Sequence, residues 1–162
     1  METGKLNNKG TKEQSLGFGI PDWKRVRISR EVEQLAAIVV DSSFAVHKEL
    51  GPGLLESGYE SCLSHELRLR GFNHQLQLPV PLSYQGIRVE TDYRADVIME
   101  EKLLVELKAI DELLPVHKAQ VITYLRVKKI SLGLLINFNE VLIKHGIHRI
   151  LNVPRSPEEI ST

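Results

Sequence analysis

Asp96, Glu106 and Lys108 are the residues of this sequence whose types and spacing could do chemistry together. They lie in one stretch, Arg94-Ala95-Asp96-Val97-Ile98-Met99-Glu100-Glu101-Lys102-Leu103-Leu104-Val105-Glu106-Leu107-Lys108-Ala109. Apolar runs flank a polar break at Glu100, Glu101 and Lys102, the pattern of an antiparallel hairpin. Side chains alternate faces along a strand, so Glu106 and Lys108 share one face while Val105 and Leu107 share the other. A two-residue loop at Glu100 and Glu101 would set Asp96 opposite Val105, away from Glu106. A three-residue loop from Glu100 to Lys102, or a bulge, sets Asp96 across from Glu106 instead, and this is the register we expect. Two carboxylates side by side repel each other, and a divalent cation removes the conflict. Mg2+, or Mn2+ in its place, takes one or two carboxylates together with other oxygens, which Asp96, Glu106 and the backbone carbonyl of Leu107 can offer. Lys108 is then placed to orient an attacking water and to offset charge developing on a phosphate. By itself, Glu-x-Lys on a half-exposed strand is more often a solvated ion pair.

The elements that must position these groups can be read on either side. Ser29, with Glu31 and Glu33 behind it, starts a helix in which Val32, Leu35, Ala36, Val39, Ser43, Val46 and Leu50 recur at three- and four-residue steps, until Gly51-Pro52-Gly53 stops it. A second helix is expected from about Leu54 to Arg70, with Leu55, Tyr59, Cys62, Leu63 and Leu67 on its buried side. Glu56 and Glu60 lie four apart on one face of it, where like charges are unfavourable. On helix geometry alone both acids could simply face water. Gln75 to Tyr84 alternates as a half-buried strand that Pro79 and Pro81 push to a sheet edge, and Ile87 to Tyr93 leads into the central hairpin. Leu114-Pro115 opens a third helix to about Arg126, on which Gln120 and Tyr124 reach the same side. Ile130 to Phe138 is an apolar run of buried-strand length, and Val141 to Ile150 is expected to form a last edge strand.

Composition narrows the class. At 162 residues the chain is long enough for one domain with a core, and 42% hydrophobic and 26% charged residues are ordinary for a globular protein. Lys plus Arg equals Asp plus Glu at 21 each, which argues against coating nucleic acid through bulk charge but leaves room for a local basic groove. The single Cys62 excludes an intramolecular disulfide, and no apolar run reaches membrane-spanning length, so a cytoplasmic protein with no membrane partner is expected. Residues 1–28 read as a flexible extension, 29–152 as the domain and 153–162 as a tail. Trp23-Lys24-Arg25-Val26-Arg27, at the end of the extension, sets an aromatic among cations that could touch a phosphate backbone or simply dock on the domain.

Gly53-Leu54-Leu55-Glu56-Ser57-Gly58-Tyr59 matches Gly-x-x-Glu-x-x-Tyr. It is preceded by His47-Lys48-Glu49-Leu50-Gly51-Pro52 and followed, in order, by Arg94-Ala95-Asp96, by Val105-Glu106-Leu107-Lys108-Ala109 and by Leu132-Gly133-Leu134-Leu135-Ile136-Asn137-Phe138. From about Glu31 to Leu151 the chain thus resembles the GxxExxY family of small PD-(D/E)xK-like proteins. The Gln120-x-x-x-Tyr124 pair is similar to a motif of RecB-like nucleases. The resemblance implies an α/β, restriction-endonuclease-like core, a mixed sheet flanked by helices in the order α-α-β-β-β-α-β-β. It implies a Mg2+-dependent nuclease acting on nucleic acid, with DNA ahead of RNA as the expected substrate, and with catalytic Asp96, Glu106, Lys108 and Glu56. The metal would be held by Asp96, Glu106, Leu107 and Glu56, and the substrate by Gln120, Tyr124 and Tyr59. A binding or interaction module on the same fold, or a hydrolase of small phosphoesters, would use the same scaffold differently.

Overall fold

The computed structural model describes residues 26–154. The expected N-terminal extension, with its Trp23 cluster, falls almost wholly outside them, as does most of the tail. Helix α1 spans Arg30–Leu50, with the Ser29 hydroxyl accepting from the Val32 N–H at 3.3 Å and Gly51 (φ 65) closing the other end. Helix α2 spans Glu56–Leu69. Both lie on one face of a five-stranded sheet made of β1 (His74–Pro79), β4 (Arg94–Met99), β5 (Leu103–Lys108), β6 (Leu132–Asn137) and β7 (Ile147–Leu151), in spatial order β1-β4-β5-β6-β7. The strands β2 (Leu82–Tyr84) and β3 (Ile87–Val89) pair only with each other. Helix α3 (Pro115–Lys128) crosses from β5 to the parallel strand β6 over the second face, and the single turn α4 (Ile143–Gly146) precedes β7.

Two apolar clusters hold the layers together. Under α1 and α2, Val32, Leu35, Val39, Tyr59, Leu63 and Leu67 pack on Val97, Met99, Leu103, Val105, Leu107, Leu134 and Ile136. Under α3, Val121, Tyr124 and Leu125 pack on Ile98, Leu104, Leu135 and Ile150. Covered on both faces, the central strands are buried through almost their whole length, which is why β5 and β6 read as apolar runs and not as alternations. Gly133 lets α3 approach β6: a Cβ there would lie 2.9 Å from Val121 Cγ1 and 3.3 Å from Leu125 Cδ2. No helix among the described residues is long and apolar enough to cross a membrane.

Several expectations need correction. Gln75 to Tyr84 is not one strand: the chain leaves the sheet after Pro79, because a proline cannot donate to the ladder, and resumes in the separate β2–β3 ribbon. Ile87 therefore begins β3, the second strand of that ribbon, rather than the central hairpin. Leu55, expected on the buried side of α2, precedes the helix and is 80% exposed, and Leu50 at the end of α1 is also exposed. Val141 and Leu142 lie in a turn, so the last strand starts only at Ile147.

Candidate active site

The β4–β5 hairpin turns through Glu100 and Glu101, both in the left-handed region at φ 48 and φ 59, with the Lys102 N–H donating to the Met99 carbonyl at 2.9 Å. This three-residue turn sets Met99 opposite Leu103, Ile98 opposite Leu104 and Val97 opposite Val105. One step further along the same ladder, Asp96 comes across from Glu106, in the register that brings the acids together. There the backbone pairing stops and the Asp96 carboxylate replaces it, Oδ2 accepting from the Leu107 N–H at 2.8 Å. Since the N–H and C=O of one strand residue point to the same neighbour, the Leu107 carbonyl also faces the Asp96 gap.

Glu106 is 2% exposed. Burial, then the charge of Asp96, push its carboxyl up from an ordinary 4.5 to about 7 against the pull of Lys108. Lys108, two residues on and on the same face, donates from Nζ to Glu106 Oε1 at 2.8 Å. Burial draws the lysine down, but the charge of Glu106, the hydrogen bond to it and the charges of Glu56 and Asp96 outweigh burial, so its pKa is raised and it stays an ammonium. The other oxygen, Glu106 Oε2, is buried with no hydrogen-bond partner. Such an orphan is costly in a native site unless something absent from the protein completes it.

Glu56 opens the first turn of α2, where the helix dipole favours an acid. Its carboxyl is raised by burial, opposed by Lys108 and reinforced by Asp96 and Glu60, so it shares the field of the strand residues. The turn before it is fixed by Tyr59, whose hydroxyl donates to the Gly51 carbonyl at 2.7 Å and accepts from the Leu54 N–H at 3.1 Å. The ring is fully buried and stacks on Phe138 with centroids 4.5 Å apart. Tyr59, expected to touch substrate, is thus a core residue that latches the α1–α2 turn. On α3, Gln120 Nε2 donates to Tyr124 Oη at 2.7 Å, and the raised pKa of Tyr124, caused first by burial and opposed by Gln120, also feels Glu106, Lys108 and Asp96. Helix α3 therefore brings its pair to the same end of the sheet. Tyr93 tilts against Tyr124 with centroids 6.1 Å apart.

Two contributors were not evident from the sequence. Asn137 at the end of β6 is buried, accepting from the Ile110 N–H at 3.1 Å and donating to the Ile110 carbonyl at 2.8 Å, which pins the chain just after Lys108. An amide ending an apolar run was the available signal. Gln77 on β1 lies across from Asp96 between the pairs Leu76↔Val97 and Leu78↔Ala95, yet its own φ is 52, a left-handed value that costs a non-glycine residue about 1–3 kcal/mol. In the sequence it is an ordinary polar position of an alternating edge strand, and nothing marks it.

A family model described as the PD-(D/E)XK nuclease superfamily matches residues 33–150. The chain belongs to that superfamily. No curated protein and no solved structure gives a match. The matched span runs from the first turn of α1 into β7 and contains each residue of the site just described. PD-(D/E)XK proteins are typically metal-dependent and generally act on nucleic acid. The residues present fit a divalent cation: Glu106 Oε2 is an acceptor without a donor, and Asp96 keeps lone pairs beyond those used by Leu107. Among the described residues no three His, Cys, Asp or Glu side chains form a metal-sized cluster, so Glu56 does not close such a group with Asp96 and Glu106. Mg2+ keeps several waters and uses one or two carboxylates, and two are offered here by Asp96 and Glu106.

Proposed function

We propose that this PD-(D/E)XK protein is a Mg2+-dependent nuclease that hydrolyses phosphodiester bonds, with DNA as its preferred substrate, and that it belongs to the GxxExxY group within the superfamily. The observation that carries this reading is the paired Asp96 and Glu106, with one Glu106 oxygen on Lys108 and the other left without a donor. Asp96, Glu106 Oε2 and the Leu107 carbonyl would hold the metal, and Glu56 would reach it through water. The bound cation would supply a lowered water pKa and a Lewis acid for the phosphate oxygen. Lys108, charged and anchored on Glu106, orients the attacking water and faces the negative charge that builds on the phosphate. Gln120 and Tyr124, hydrogen-bonded to each other, offer an amide and a phenol to the substrate beside that water.

The test is Mn2+ or Mg2+ titration calorimetry on the wild type and on the double variant Asp96→Ala with Glu106→Ala, with cleavage of labelled oligodeoxynucleotides followed in parallel. Binding that disappears in the double variant, together with metal-dependent cleavage, is expected. Binding without cleavage of any nucleic acid would overturn the nuclease reading in favour of a binding module or a small-phosphoester hydrolase. No binding would make the carboxylates structural.

A further inference from the structure

Asp96 is held from two sides, and only one of them belongs to the catalytic strand pair. Oδ2 accepts from the Leu107 N–H, while Oδ1 accepts from Gln77 Nε2 at 3.1 Å. The same Gln77 nitrogen donates to Glu60 Oε2 on α2, so one side-chain amide spends both of its hydrogens on two carboxylates. The backbone accommodates this at a visible cost. Gln77 is left-handed in the middle of an antiparallel strand, unpaired opposite Asp96, and its displaced carbonyl is taken up by Arg94 Nη1 at 3.1 Å. A regular β1 would keep the ladder intact; strain that persists at a site of this kind is held there by surrounding contacts and tends to serve the chemistry.

Resting on the nuclease reading above, we infer that Gln77 is a positioning residue for Asp96, and that Glu60 in turn fixes Gln77. With Leu107 and Gln77 each using one lone pair of the carboxylate, Asp96 is held against rotation, and its remaining lone pairs would be ready for a cation without reorganisation. Glu60 then acts through Gln77, as an outer support, and not as a metal ligand. Outer hydrogen-bond partners of metal-binding carboxylates characteristically alter metal affinity by about 10–100-fold when removed.

The experiment is Mn2+ titration calorimetry, with thermal unfolding and oligodeoxynucleotide cleavage, on the full chain and three variants. Gln77→Gly relieves the backbone and removes the amide. Gln77→Asn tolerates the left-handed backbone but is one methylene too short to bridge both acids. Glu60→Gln keeps an acceptor for the Gln77 amide but removes the negative charge that anchors it. The expected result is a Kd for Mn2+ raised about 10–100-fold in both Gln77 variants and less in Glu60→Gln. Cleavage should recover at high Mn2+, and Glu60→Gln should add nothing when combined with Gln77→Gly. A purely structural Gln77 would shift thermal unfolding and leave the Kd of the folded protein unmoved, which would overturn the inference alone. Wild-type protein that binds no Mn2+ would overturn the nuclease reading, and this inference with it.

Discussion

Glu106 is where burial and charge compete most sharply. Its carboxyl is pushed from an ordinary 4.5 to about 7, so between those values the folded chain holds a proton that the unfolded chain has lost. The contribution of Glu106 to the stability of the cation-free protein is therefore full below about pH 4.5 and is lost as pH rises through about 7, by roughly 3 kcal/mol for a shift of this size. A divalent cation replaces that proton, so Mg2+ should raise Tm strongly at pH 8 and hardly at pH 5. Thermal unfolding with EDTA or Mg2+ at the two pH values checks this, and Glu106→Gln should flatten the dependence; an EDTA profile that instead rises toward pH 8 would contradict it. Lys108 gives a second expectation at this scale. It is at the rim of the core, 13% exposed, so Lys108→Ala should fold, with Glu106 simply keeping its proton to higher pH. Cleavage in that variant should drop about 100- to 1000-fold, as when a donor to developing charge is lost. A variant that fails to fold would place Lys108 in the core and not at the reaction.

At the scale of elements, the latch on the α1–α2 turn and the seat of α3 decide whether the parts of the site meet. Tyr59→Phe keeps the stack on Phe138 but strands the Gly51 carbonyl and the Leu54 N–H, at a cost of about 1–3 kcal/mol. Because those bonds set the turn that presents Glu56, cleavage should fall even where the protein is fully folded; activity unchanged in a destabilised variant would separate the turn from the site. Gly133→Ala forces α3 away from β6 at about 1–3 kcal/mol and carries Gln120 and Tyr124 with it. Chemical denaturation and the KM for oligonucleotide check it, with KM rising more than kcat falls if the pair contacts substrate. The elements were legible where one periodicity ran unbroken. Ser29 and Gly51 bounded α1 because capping chemistry is local, and the hairpin register followed from the length of its polar turn. The β2–β3 ribbon was not legible, since a proline-interrupted alternation looks the same whether the chain continues along the sheet or leaves it. Nor could spacing separate Tyr59 from Tyr124: both are buried aromatic residues at helical positions, and only the tertiary packing turns one hydroxyl onto the α1–α2 turn and the other toward Gln120 and the acids.

For the molecule as a whole, 21 positive and 21 negative side chains leave no net charge to draw in a polyanion. Binding to nucleic acid should then rest on a few close contacts. In Ca2+, the affinity for a labelled duplex, read by fluorescence anisotropy, should weaken by less than the roughly 1000-fold that about six phosphate contacts would give between 50 and 200 mM salt. A steeper loss would reveal a basic groove, and Arg126, Lys128 and Lys129 at the end of α3 would be the first to replace. Ion pairs Lys102–Glu31 and Arg149–Glu33 meanwhile tie the first turn of α1 to the hairpin turn and to β7, away from the acids. The left-handed break at Gln77 has one more consequence, and it concerns other copies of the chain. Strand β1 borders the sheet, and a straight border strand offers its free N–H and C=O groups as a template for self-association. With its backbone turned aside at Gln77 and a proline at its end, β1 makes a poor template, so a Gln77→Val chain that straightened it would be expected to clump as concentration rises.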